Sequence, residues 1–253
     1  MTSIYTLPCE QELHQKLQAL FRDWKNAIGA EHFVEDGFYP YYTKQTVKVL
    51  FIGREGLTID ANYIDQIYKE YKVNLSNWLR TENSTYTLNS HPFHSKLFYM
   101  AYGFQHQFQK YEDIPWANDM RDDFATEKGI SFAFMNLSKF SNNSGNFQAD
   151  WNQINDFIKR TKQVEKSTGR NFFEEEIALL NPDVIITMNF AFPTRELPFI
   201  GKSKNGAVDL YELSLADKKI PVFDTFHFSA VKSMEANFYQ AIAELYNKYQ
   251  EQN

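Results

Sequence analysis

Three polar clusters in this 253-residue chain each sit at the end of a hydrophobic run, and their side chains have complementary chemistry. Gly53-Arg54-Glu55-Gly56 closes VKVLFIG, Asn136-Leu137-Ser138-Lys139 closes ISFAFMN, and His227-Phe228-Ser229-Ala230 follows IPVFDTF. A carboxylate such as Glu55 suits a water, a cation or a developing positive charge. The amide of Asn136 offers one acceptor and two donors, which suits the edge of a planar base. An imidazole such as His227 can donate to a developing oxyanion, and Ser229 can touch a phosphate or begin a helix. Gly53 and Gly56 permit a tight turn and close approach of a ligand to the backbone. A phosphate loop is excluded, because GxxxxGK[ST] is absent and the carboxylate would repel phosphate. Each residue also has an ordinary structural reading: Glu55 as a helix cap, Asn136 as a strand terminator, His227 as a packed histidine. Their occurrence together, each just past a separate strand-like run, singles them out.

The elements that must position them follow from periodicity. Leu13, Leu17, Leu20, Phe21 and Trp24 recur at helical spacing and predict an amphipathic helix over 10–28. Short apolar runs at 47–53, 130–136, 183–189 and 220–226 predict strands covered on both faces, as in a parallel sheet. Helical patterns occupy 64–71, 95–109, 151–163, 170–180 and 231–249, the last with Met234, Phe238, Ile242, Leu245 and Tyr249 on one face. The run AVDLYEL at 207–213 is either an additional strand or part of a hairpin, and TENSTYTLNSHPF reads as a polar surface excursion. NFAFP, after the third strand, offers no chemistry, and FSNNSGN after Asn136 is small and polar. Strands alternating with helices predict an α/β fold of three layers, α/β/α, around a central, mostly parallel sheet of about four strands. In such sheets the ligand sits beyond the carboxyl ends of the strands, where all three clusters fall.

Composition narrows the class. Apolar residues make up 43 %, enough for a sizeable core, and aromatics 17 %, most simply read as packing area. One cysteine, Cys9, excludes an intramolecular disulfide, a cysteine-rich zinc site and a four-cysteine iron–sulfur cluster. The opening MTSIYTLPCEQELHQK has neither a basic nor an apolar leader region, and no run approaches a membrane-spanning length. A soluble, cytoplasmic protein with no membrane partner is therefore expected. The net charge of −6 argues against holding nucleic acid mainly by phosphate neutralisation, although a local positive rim is compatible with it.

Together these segments resemble the uracil-DNA glycosylase superfamily. VLFIGREG resembles its first motif, in which the residue at the position of Glu55 places the attacking water. FAFMNLSKFSNNSGN resembles the central segment, with Asn136 as the base-recognising amide, and PVFDTFHFSA resembles the last motif, giving His227 and Ser229. The resemblance covers roughly residues 45–250. It implies a single domain with an N-terminal helical extension (about 1–45) and an insertion (about 57–123). Gly56 and Phe228 stand where the family has prolines, and about 75 residues separate the first two motifs. Branches that carry an iron–sulfur cluster are excluded by the lone cysteine, and no aromatic that stacks on the base is identifiable.

The resemblance implies hydrolysis of the N-glycosidic bond of uracil or a modified base, in single- or double-stranded DNA, without metal or cofactor. Glu55 and His227 would be catalytic and Gly53 and Asn136 base-binding, while Arg54, Gly56, Ser138, Lys139 and Ser229 would hold DNA or its phosphates. Arg54, Lys139, Lys202, Lys204 and Lys232 would supply the positive rim. Two other readings stay open: a hydrolase of free nucleosides or nucleotides, and a non-catalytic nucleotide-, protein- or nucleic-acid-binding module. His91 and His94 form a possible metal pair, which the intervening Pro92 and the lack of a third ligand disfavour.

Overall fold

A computed structural model describes residues 4–73, 87–145, 148–189 and 197–252. Its centre is a mixed seven-stranded sheet: β1 (Gly37–Phe38), β2 (Val49–Gly53), β3 (Ala133–Asn136), β4 (Val184–Met188), β5 (Phe199–Lys202), β6 (Asp209–Leu215) and β7 (Lys218–Thr225), in the order β1-β3-β2-β4-β7-β6-β5. The four strands foreseen from the sequence form its parallel core, β3-β2-β4-β7. Every residue of β2, β3 and β4 is buried, so both faces of the core are covered.

The sheet is wider than the expected four strands, because antiparallel strands extend it at both edges. On one side the pair β1–β3 recruits residues of the N-terminal extension. On the other, the run at 207–213 is the first arm of a β6–β7 hairpin whose turn passes through Ala216 at a φ of 51°. No membrane-length apolar helix occurs among the described residues.

Helices α1 (Pro8–Ala27), α5 (Trp151–Thr168) and α6 (Phe172–Leu180) meet around Trp24, which stacks on Phe172, meets Phe157 and Phe173, and donates from Nε1 to Thr161 Oγ1 at 2.9 Å. Gly169, at a φ of 73°, ends α5, which runs past the predicted residue 163. A second group comprises α2 (Tyr63–Val73), α3 (Pro92–Gln105), α4 (Ala117–Asp123) and α7 (Gln240–Gln252), with Phe98 and Phe124 packed on Tyr71. The final helical pattern was expected from 231. Instead a π-turn over Glu235–Tyr239 precedes α7.

The largest local correction concerns α3. Pro92 was placed in a polar excursion and read against helical presentation of His91 and His94, yet it is the first residue of the helix, and His91 caps it by accepting the His94 N–H. A proline has no N–H to lose, and the first turn of a helix needs none. Residues 81–86 of that excursion, Asn146 of FSNNSGN and 190–193 of NFAFP lie outside the described residues.

Candidate functional site

The site is built where the parallel strands end. Gly53 closes β2 and lies level with Asn136, which closes β3. A side chain at Gly53 would put a Cβ 2.6 Å from the Phe134 ring and 2.9 Å from Asn136 Oδ1. The absence of a side chain at Gly53 therefore makes room for the amide and for the Phe134 ring.

Asn136 is only 2 % exposed. Its backbone N–H donates to Asp36 Oδ2 at 2.6 Å, while its side-chain Nδ2 makes no hydrogen bond among the described residues. A buried donor left unmatched costs about 1–3 kcal/mol, and such a cost calls for an explanation.

Glu55 lies two residues past β2. Its Oε1 accepts from Asn142 Nδ2 and from the Asp150 backbone N–H, both at 2.8 Å. Asp150 in turn caps α5, so one carboxylate oxygen has a structural task, although not the capping of the following helix that the sequence suggested. The other oxygen, Oε2, is buried and makes no hydrogen bond among the described residues. Burial pushes the Glu55 carboxyl above its usual value, opposed by the Asp150 N–H and the Asn142 amide.

His227 follows β7. Its Nδ1 accepts from the Ser229 backbone N–H at 3.2 Å and lies 2.6 Å from Ser229 Oγ, which assigns the ring proton of the neutral imidazole to Nε2. Burial, reinforced by Arg54 and then Lys96, lowers His227 to about 4. The ring is neutral at physiological pH and presents an N–H donor.

Straight strands would hold β3 and β7 about 14 Å apart, three spacings of about 4.8 Å. The loop after β7 reaches back toward β2 through Phe228. Phe228 is fully buried, 5.9 Å from Phe51 of β2 and 6.1 Å from Phe93. Phe93, half-buried in the first turn of α3, has its ring centre 6.2 Å from that of Phe134 and 5.6 Å from that of His227. It spans from β3 to the loop after β7, and the polar text around it concealed it in the sequence.

The expected phosphate contacts divide. Arg54 is half-buried with its guanidinium 5.3 Å from the ring centre of Trp151, which is 47 % exposed, and Ser229 is exposed. Gly56 and Ser138 are turned inward: the Gly56 carbonyl accepts from the Asn142 N–H, and Ser138 Oγ accepts from the Phe140 N–H.

Lys139 must be removed from the rim. It is wholly buried, with Nζ 2.7 Å from Asp36 Oδ1 and 2.8 Å from Glu176 Oε2, between the rings of Phe21 and Trp24. A strand end signalled exposure, but residues 33–38 of the N-terminal extension cover it, and Val34 N–H donates to the Lys139 carbonyl. Of the other cations, Lys202 pairs with Asp209 at 3.1 Å on the far side of the sheet, Lys204 is exposed in the same region, and Lys232 lies over Phe226. Val231, beside Lys232, is fully exposed.

The metal reading of His91 and His94 does not fit. His94 is buried with Nδ1 2.7 Å from the Tyr71 hydroxyl, and His91 serves as the α3 cap. Among the described residues no cluster of three or more candidate ligands occurs. A cavity of about 590 Å³ lies away from the three groups, between the sheet and α5–α6, lined by Met135, Ile185, Val222, Phe173 and Ile177. None of Glu55, Asn136 and His227 lines it. Comparison with protein-family models, curated proteins and solved structures returned no match to the chain.

Proposed function

We propose that the chain is an N-glycosidic hydrolase that removes uracil or a modified base from DNA, on a three-layer α/β/α scaffold resembling the uracil-DNA glycosylase superfamily. The supporting observation is that a carboxylate with an unengaged oxygen, a buried amide with an unmatched donor, and a neutral imidazole with its proton on Nε2 each follow the carboxyl end of a strand of the same parallel core. Extruding a nucleotide from the stack costs about a few kcal/mol. In the pocket, Asn136 Oδ1 would accept from a base N–H while Nδ2 donates to the neighbouring carbonyl. Rupture of the C1′–N bond leaves the electron pair on the base and positive character on the sugar. Glu55 Oε2 would face that charge and orient a water, whose oxygen bonds to C1′ and whose proton passes to the carboxylate. His227 Nε2–H would stabilise the departing base anion, a type of donor worth roughly 3–4 kcal/mol. Phe93 offers a ring face to the base, and Val231 an apolar wedge at the rim.

A second reading, hydrolysis of free nucleosides or nucleotides by the same groups, is favoured by one observation. With Lys139 buried and Lys202 paired, few rim cations remain to neutralise phosphates. Single- and double-stranded oligonucleotides bearing uracil, hypoxanthine or oxidised pyrimidines, assayed for alkali-labile sites beside the free nucleosides and nucleotides, separate the two. Base release abolished by Glu55→Gln and Asn136→Ala is the expected result. Binding without release from any substrate, unchanged by Glu55→Gln, would replace both readings with a non-catalytic module.

A further inference from the structure

We propose that Lys96, brought by the inserted helix α3, is a positioning residue that fixes the turn His227–Ala230 and thereby aims the His227 imidazole into the site. The inference rests on the reading of His227 as a group that serves that site.

The turn has the chemistry of a loop that needs an external tie. Phe228 and Ala230 leave its backbone torsions freer than proline would at either position. The Ala230 N–H donates to the His227 carbonyl at 2.8 Å, and the Ser229 N–H donates to His227 Nδ1, so the ring's orientation depends on the turn's shape. Two carbonyls of this turn, those of Phe228 and Ala230, point into the protein rather than into a sheet ladder. Buried carbonyls require donors. Lys96 supplies them: its side chain is buried, and Nζ donates to Phe228 O and, at 3.1 Å, to Ala230 O.

An ammonium is well suited, because three N–H groups on one atom reach two acceptors that no planar amide would span as easily. The same ammonium lies 4.9 Å from the Phe238 ring centre, which favours the cation face-on. Phe238 also packs edge-on against Phe228, at 5.4 Å and 87°. The turn is thus held by an apolar pin, Phe228, and a polar clamp, Lys96, and Phe228 stands where the resembled family has a proline.

Electrostatics agrees with the geometry. Burial lowers Lys96 to about 8, so the clamp is charged at neutral pH. Its charge, with that of Arg54, is among the causes that lower His227 to about 4. The groups acting on His227 are Arg54, Lys96 and the Ser229 hydroxyl and N–H, and those on Lys96 are the two carbonyls and the Phe238 ring.

Nitrogen-15 NMR on the full chain tests the proposal without needing a substrate. Lys96→Met should raise the His227 titration midpoint above the wild-type value of about 4 and move the Ser229 and Ala230 amide signals. Lys96→Arg, which keeps charge and donors, should restore most of both. In the wild type the same amide signals should shift with a midpoint of about 8 as Lys96 loses its proton. A Lys96→Met protein with unchanged His227 midpoint and unchanged turn amides overturns the proposal. Should that variant not fold, wild-type turn amides that stay still through the Lys96 titration overturn it equally. On a uracil-containing single-stranded oligonucleotide, Lys96→Met should lower kcat about a hundredfold, the cost of a displaced catalytic group, with KM changed about twofold or less. Wild-type protein inactive on every oligonucleotide and nucleoside sinks the functional reading alone, since the NMR results still decide what Lys96 does.

Discussion

The buried trio Asp36, Lys139 and Glu176 yields the sharpest energetic prediction, because removal of different members should have very different consequences. Lys139 and both carboxyl side chains have no exposed surface at their contacts, with separations of 2.7 and 2.8 Å. Burial raises the Glu176 carboxyl well above its usual value, and the neighbouring Asp36 adds to the rise, with Lys139 opposing. The trio therefore joins one lysine to two carboxyl groups, of which Glu176 is the one that its surroundings bias toward the neutral form. Lys139→Met leaves the Asp36 carboxylate buried without its cation, and breaking a buried pair in this way costs about 3–5 kcal/mol. For a chain of this size each kcal/mol corresponds to about 2–4 °C, so Tm should fall by about 6–20 °C. Glu176→Gln replaces a carboxyl biased toward its neutral form by a neutral amide of similar shape and should cost far less than Lys139→Met, about 1 kcal/mol or less.

The pH dependence has a definite sign. A carboxyl raised in the folded state contributes its stability fully below the unfolded value and loses it as pH rises through the folded value. Stability of the wild type relative to Glu176→Gln should therefore decline as pH rises above the ordinary glutamate range. Urea unfolding of the three proteins, followed by tryptophan fluorescence across a pH series, measures all of this. Equal stability of wild type and Lys139→Met, or a Glu176→Gln protein as weak as Lys139→Met, would refute the assignment of charge. Because Asp36 also accepts the Asn136 N–H, Lys139→Met should additionally shift the Asn136 amide signal and, if the proposed function holds, slow base release at temperatures where the protein remains folded.

Gly53→Ala should destabilise by about 1–3 kcal/mol, as overpacking does, and should displace Asn136 or Phe134 because the new methyl would lie 2.6–2.9 Å from both side chains. A crystal structure or denaturation curve indistinguishable from wild type would contradict this. His227 should titrate with a midpoint of about 4, so the proposed base release should show no loss from its protonation until pH falls well below 6. A midpoint near the ordinary histidine value, measured by NMR, would place the ring in water rather than in the site.

How far the sequence reached differs between elements. The parallel core was legible because a strand covered on both faces must be apolar at every position, and β2, β3 and β4 are. Of the outer strands, β6 was read as a strand or hairpin arm, and β1 and β5 were not. β1 is buried but only two residues long, too short to show a pattern, and β5 carries Phe199 at 59 % and Ile200 at 42 % exposure, so it lacks the uniform burial that marks a core strand. Helix α3 was dated late because Pro92 carries two opposite meanings, helix start and helix breaker, and only the His91 cap distinguishes them.

The site shows the same division. Residue type and place in the chain were enough to single out Glu55, Asn136 and His227, since position after a strand in a parallel sheet is a local property of the text. Which lysine meets solvent is not local. Lys139 and Lys96 are written like surface residues, yet each is enclosed by segments distant in sequence: Asp36 and Glu176 around the first, the 228–230 carbonyls around the second. A charge is stable in the interior only where its partners converge on it, and that convergence is a product of three-dimensional packing. The sequence by itself determined the strands and the chemical types at their ends. The tertiary structure decided which of those groups are enclosed by partners, as Lys139 is, and which keep a polar atom unmatched among the described residues, as Glu55 and Asn136 do.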